Sequence, residues 1–248
     1  MNNDLQRASL LKRFSAYIVD MMALVCVVTL LALCQSSILG YGNYSRRMEQ
    51  IYEEYEKIGL VEITEELTEE EIAKYNAAVD LFNNDEEARL VYSKVINLTL
   101  IIATVSIAVS YAVLELLVPL WLKNGQTFGE KIFGIALMRI DGVQVTPFMM
   151  FVRTMLGKCV VGTMIPVLLL LMMMLGANIG MTGLLIIGLI LLAQVILLFA
   201  TRNRSALHDM LACTVAVDMQ SQRIFDSPEA RMEYIKRVSA ENAAKAEY

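Results

Sequence analysis

The chain has a single histidine and a single tryptophan in 248 residues, only four prolines and four cysteines, and just 19% charged residues. One histidine, His208, cannot build an H-E-x-x-H site, a His-rich metal cluster or a paired-His phosphohydrolase centre. There is no G-x-S-x-G elbow, no P-loop lysine motif and no GxGxxG fingerprint among the 13 glycines, and no G-x-G-D of the intramembrane aspartyl proteases. Cys26, Cys34, Cys159 and Cys213 show no CxxC spacing and are read as apolar fillers. The sequence therefore points away from an enzyme and asks for no cofactor and no metal. Nothing in it points to a nucleic-acid partner.

What the chain has instead is long apolar runs: 56% of its residues are hydrophobic and the mean hydropathy is +0.53, outside the range of a soluble domain. The first run, within residues 11–39, is long enough from Phe14 to Leu33 to cross a hydrocarbon core that needs about 20 helical residues. Arg13 opens it and Asp20 lies seven residues on, on the same helical face and about 10 Å deeper, with the small Ala16 between them on that face. An aspartate at that depth faces the protein interior and finds a partner, or reaches back to Arg13 and the interface; the first is the functional reading. A secretory signal is the competing reading of this N-terminus. The run is too long for an h-region, carries Asp20 and ends without an A-x-A-like site, so the segment is taken as retained.

Residues 95–122 form a second span, with Trp121 and Lys123 as anchors, Pro119 bending the last turn and Glu115 as an acid at a depth similar to that of Asp20. A third runs from about Cys159 to Leu175 with a kink at Pro166, and the turn at Gly176–Gly180 leads into a fourth, about Met181 to Ala200. Between the first two spans lies a polar segment, 41–94, with fourteen Asp or Glu against six Lys or Arg. Thr68 with Glu71 is a capping box there, and Ser45 is a candidate cap for an earlier helix. Its acids are a solvated helical face or a funnel for cations.

The second connection is mixed and basic. Thr127 with Glu130 predicts a short amphipathic helix on the membrane surface, Asp141-Gly142 a type I′ hairpin, and Thr146-Pro147 the start of a helix through Arg153. Arg7, Lys12, Arg13, Lys123, Lys131, Arg139, Arg153, Lys158, Arg202 and Arg204 all fall on the side of the termini, so both termini are expected in the cytoplasm and the acidic insert outside. After a turn at Leu207–Leu211, the alternation through Val215 and Val217 predicts a half-buried strand pairing with IALMRI and VQVT. Ser227-Pro228-Glu229 caps a helical tail. The N-x-[ST] matches at Asn43, Asn97 and Asn203 carry no weight, and no internal repeat stands out beyond the two short helix-to-strand stretches.

Three stretches taken together resemble the RDD family of membrane proteins: RFSAYIVD (Arg13, Ala16, Asp20), NGQTFGEKIFGIALMRIDG (Gly125, Thr127, Gly129, Lys131, Gly134, Arg139, Gly142) followed by Arg153, and LHDMLACTVAVD (His208, Asp209, Thr214, Val217). The family is named for one arginine and two aspartates, which the resemblance places at Arg13, Asp20 and Asp209. Where the family often has Ala-Gly-Thr, this chain has Ala212-Cys213-Thr214. The resemblance supports the fold and these positions more than an activity, for which it implies only a transport-like role.

The expected architecture is an all-α integral membrane protein of four transmembrane helices, with a small cytoplasmic β element and an extracytoplasmic helical insert. Its segments are 1–40 (N-terminus and first span), 41–94 (insert), 95–219 (the remaining spans and interfacial segments) and 220–248 (tail). The expected setting is a bacterial cell membrane. The charged cluster is Arg13, Asp20, Asp209, His208, Glu115 and Arg153. Two functions fit it: a small transporter exchanging protons or small cations at Asp20 and Glu115, or a non-transporting scaffold. The partners are the lipid bilayer and, for a four-span protein with little internal room, a second copy or another membrane protein.

Overall fold

The computed structural model describes residues 6–60, 68–122, 125–175, 180–201 and 205–246. Lys123, the turn residues 176–179, Arg202, Asn203 and Arg204 lie outside the described residues. Four helices are long and apolar enough to cross a membrane: α1 (Leu10–Ile38), α4 (Glu86–Trp121), α6 (Pro147–Met174) and α7 (Gly180–Ala200). Two shorter helices, α2 (Tyr41–Glu56) and α3 (Glu69–Asn84), occupy the acidic stretch. Two single-turn helices, α5 (Phe128–Ile132) and α8 (Leu207–Leu211), each lead into a strand, β1 (Ile135–Arg139) and β2 (Thr214–Asp218). A tail helix, α9 (Pro228–Ala246), closes the chain.

Helix starts follow local chemistry. Thr68 and Thr127 both form complete capping boxes with Glu71 and Glu130, Thr146 accepts from the Met149 amide before Pro147, and Ser227 accepts from Ala230 at 3.1 Å. Ser45 caps nothing, because α2 already starts at Tyr41, directly after Gly40 at φ 66°. A glycine in the left-handed region turns the chain without a polar cap. The third membrane-length helix begins at Pro147 rather than near Cys159, so Arg153 and Lys158 lie inside it.

The chain divides into two compact units. The smaller, Thr29–Ser106, buries Met48, Ile51, Ala78 and Ala88, packs Phe82 against Tyr52, Tyr55 and Tyr92, and ties Tyr55 to Asp85 at 2.9 Å. The larger comprises Met1–Val28 and Ile107–Tyr248. In it β1 and β2 pair antiparallel with Leu137 opposite Ala216, and Gln6–Ala8 lies along β2 through the Asp218 amide to the Gln6 carbonyl and the Ala8 amide to the Ala216 carbonyl.

This ribbon is not half-buried. Ala136, Met138, Val215 and Val217 pack on one face with Ile224, while Ile135, Leu137 and Ala216 pack on the other with Ala8, Ala16 and Met150. VQVT meets β1 through the single bridge of Met138 to Gln144 and the Arg139 amide donating to the Val143 carbonyl at 2.8 Å, and bridges on its other side from Val143 to Phe225. The hairpin also differs from expectation: Gly142 donates to the Arg139 carbonyl at 2.9 Å, and Gly142 alone has a positive φ, 82°. The turn residues proper are Ile140 and Asp141, and Gly142 takes the left-handed position after them, as in three-residue loops.

Cys213, just past α8, has φ 52°, the one non-glycine residue with positive φ among those described. A left-handed L-residue costs roughly 1–2 kcal/mol, of which glycine would give back about 0.4–1 through its freer unfolded chain. Thermal unfolding of the purified protein should therefore place Cys213→Gly at or above the wild-type midpoint and Cys213→Val below it.

Candidate functional site

The site starts from the N-terminus of α5, whose first amides have no partner inside the helix. Thr127 is the N-cap: its hydroxyl accepts from the Glu130 amide at 3.3 Å, and the Glu130 carboxylate accepts from the Thr127 amide at 2.9 Å. Asp20 reaches in from α1. It accepts from the Gly129 amide at 2.6 Å and from the Thr127 hydroxyl at 2.5 Å, so an acid buried inside one helix caps another, where helix dipole and free amides favour negative charge. Gly129 makes this approach feasible, since a Cβ there would overlap the Ala16 carbonyl oxygen and press on the Asp20 carboxyl carbon. Ala16 itself is buried, so both faces of the contact are small. The expected amphipathic helix turns one face inwards: Gly129 and Glu130 are buried, and Phe128, Lys131 and Ile132 face outwards.

Arg153 joins the two short helices. Its Nη2 donates to Glu130 at 3.0 Å and its Nε to Asp209 at 2.8 Å, and the side chain is 3% exposed. Lys158, five positions on, pairs with Glu115. Five residues are about 140° apart on an ideal α-helix. Both cations nevertheless serve one cluster because α6 is wide from Val152 to Met164, with i→i+5 bonds such as Ile165 to the Val160 carbonyl that stack such residues. Helix α4 widens likewise at Ala112–Leu117, around Glu115, and the Thr154 hydroxyl takes the Glu115 carbonyl at 2.9 Å.

The two helix-to-strand pieces repeat one another. At one constant offset, Glu130 corresponds to Asp209, Gly129 to His208, Gly134 to Cys213 and Glu115 to Gln194. Glu130 and Asp209 are each the third residue of their helix and each grip Arg153. Gly134 and Cys213 share the left-handed conformation, φ 64° and 52°. Leu137 maps onto Ala216, its own partner across the ribbon, so the local two-fold passes between them. Close helix contact recurs as well: a Cβ on Gly157 would stand 2.5 Å from His208 Cβ, as one on Gly129 would press on Ala16. Sequence comparison of the two pieces misses this because the corresponding residues share backbone positions rather than chemistry.

Arg13, Asp20, Arg153, His208 and Asp209 line one cavity of about 670 Å³. Glu115 reaches it through Lys158, which also lines it. The chain matches the RDD family over residues 7–213. It belongs to the RDD family. Comparison with curated proteins and with solved structures gave no match. In this RDD protein the expected Arg13–Asp209 pair is replaced. Asp209 takes Arg153, while Arg13 donates to the Ala216 carbonyl at 2.5 Å on the edge of β2, because the N-terminal segment lying along that strand delivers the start of α1 to it. Glu130 and Lys158 are the site residues that sequence reading left out. Glu130 was read only as a cap, and Lys158 fell outside the expected span; the signal was a Pro147 start that carries both cations into the helix.

Outside the membrane-length helices the charge states follow the geometry. Burial opposes charge on Glu130, yet Arg153 and Lys158 hold its carboxyl below the usual range. Burial likewise opposes charge on Asp209, and the charge and hydrogen bond of Arg153, with Arg13 nearby, hold it low. His208 is pushed down to about 3, by burial first and then by Arg153 and Lys158 against the pull of Asp209. A histidine whose folded value lies below its unfolded value of about 6.5 contributes stability above that pH and loses it as pH falls towards 3.

Nitrogen-15 NMR of the sole histidine should thus show a neutral ring from pH 8 down to about 5, where a free imidazole is already mostly charged; titration near pH 6.5 would refute it. Arg153→Met leaves two buried carboxylates without their cation and should lower stability by roughly 3–5 kcal/mol. Arg153→Lys should fall in between, since an ammonium cannot span both acids as the guanidinium fork does. Thermal unfolding in detergent measures both.

Proposed function

We propose that this RDD-family protein is a small proton- or cation-linked membrane transport protein, without enzymatic activity, that lies in the membrane with both termini in the cytoplasm. One observation carries the reading. The cluster holds four carboxylates, Asp20, Glu115, Glu130 and Asp209, against three cations, Arg13, Arg153 and Lys158. Glu115, Glu130 and Asp209 each contact a cation, whereas Asp20 is held by two neutral donors, a hydroxyl and an amide, on the wall of the cavity. The odd negative charge is the one that a proton or a monovalent cation would neutralise, and intramembrane acids of this kind mark ion and proton paths. Glu115, locked to Lys158, takes the balancing part.

The competing scaffold reading draws on the same ion pairs, since Arg153 clamps α6 to both short helices. Asp20→Asn separates the two. An asparagine keeps one acceptor for the Gly129 amide and cannot titrate. In proteoliposomes with imposed monovalent-cation gradients and an internal pH dye, wild-type protein is expected to move protons against cations. Asp20→Asn is expected to lose that flux while unfolding within a few degrees of wild type, as the loss of one hydrogen bond of about 1 kcal/mol implies. Wild-type protein without flux, or Asp20→Asn with full flux, would sink the transport reading.

A further inference from the structure

The cavity beside Asp20 has two kinds of wall. Its floor is the charged cluster, and its sides are Leu11, Phe14 and Tyr17 on α1 with Val195 and Phe199 on α7, all of them more than half exposed. These residues sit at the first turns of α1 and the last turns of α7, the same end of both membrane-length helices. A cleft that is charged inside, apolar at its lips and located where helices leave a bilayer has the form of a site for an amphiphile entering from the lipid.

The floor says what head it takes. Arg153 lines the cavity, is 3% exposed, and its buried Nη1 has no hydrogen-bond partner among the described residues. A buried charged donor left unmade is costly, so this atom asks for an acceptor. Asp20, also on the wall, is satisfied by neutral donors alone. Consecutive residues bring the two together, Gly129 bonding Asp20 and Glu130 bonding Arg153. The lining charges are Arg13, Arg153 and Lys158 against Asp20, Glu130 and Asp209, and Lys158 is already paired with Glu115 behind it, so one carboxylate is in excess. A purely anionic head would add to that excess, and a head that also carries a cation would not.

We infer that the cavity seats an aminophospholipid of the surrounding bilayer, its phosphate accepting from Arg153 Nη1, its ammonium facing Asp20 and its chains leaving between α1 and α7. A primary ammonium can donate to the carboxylate; a trimethylated one cannot, and a glycerol head brings no cation. The inference goes beyond the transport reading, and lipid retention is measured without flux.

The test is native mass spectrometry of the full-length purified protein, titrated with phosphatidylethanolamine, phosphatidylcholine and phosphatidylglycerol of identical acyl chains. Retention of phosphatidylethanolamine should exceed that of either other lipid by about tenfold, the worth of one charge-assisted hydrogen bond. Val195→Trp, which fills the cleft from an exposed wall and alters none of the charged residues, should abolish the preference while leaving the unfolding temperature unchanged. Equal retention of the three lipids overturns the proposal, as does a preference for phosphatidylglycerol. Full retention by Val195→Trp places the lipid elsewhere and overturns it too.

Discussion

The buried guanidinium of Arg153, shared between Glu130 and Asp209, is the contact on which the larger unit depends. It is the point where α6, the α5–β1 piece and the α8–β2 piece meet, and each acid arrives there as the third residue of a one-turn helix. Five-residue helices have no stability of their own. They persist because their ends are held: the capping box and Asp20 at the start of α5, the Arg153 pairs on one side, and the ribbon, buried on both faces, that follows. Desolvating three charges is expensive, and such a triad often adds little net stability over apolar residues of the same size. Its effect here is directional, since only a planar fork satisfies two acids set by two backbones at once.

The glycine and alanine contacts make that geometry reachable. Asp20 can cap α5 only if the α5 backbone approaches α1 to the point where a single methyl would collide, and Gly157 allows α8 the same approach to α6. Small residues in place of large ones are how helices come into backbone contact where apolar burial alone does not drive them together. The wide turns in α4 and α6 serve the same end. They rotate Glu115 and Lys158 into register with Arg153, and they free backbone carbonyls that a hydroxyl such as Thr154 then satisfies. Polar chemistry is thereby concentrated at one end of the bundle, around a cavity open at apolar lips.

The local two-fold explains why this cluster has its composition. Two equivalent pieces supply two acids to one arginine, and where the pieces differ the site acquires its character: Glu115 against Gln194, Gly129 against His208, Gly134 against Cys213. One half offers a glycine amide to Asp20. The other offers a largely buried neutral histidine, and it carries the backbone strain at Cys213 that a glycine would relieve.

The sequence by itself determined the features that depend on neighbours in the chain. Four apolar runs are long enough to cross a bilayer, and four helix starts are set within three or four residues, because length, periodicity and capping are local properties. Arg13, Asp20, Glu115, Arg153, His208 and Asp209 stood out because charge within or beside apolar segments is costly and hence informative. Only the tertiary structure decided who pairs with whom. Asp20 and the Gly129 amide are 109 positions apart, and Arg153 and Asp209 are 56 apart, distances over which no spacing rule ranks one partner above another. The wide turn of α6 changes which residues share a face, so a reading at 3.6 residues per turn could not bring Lys158 to Glu115. The burial of the ribbon on both faces, and with it the delivery of Arg13 to β2 instead of Asp209, depends on what covers the second face, which is a property of the packed chain and not of either strand.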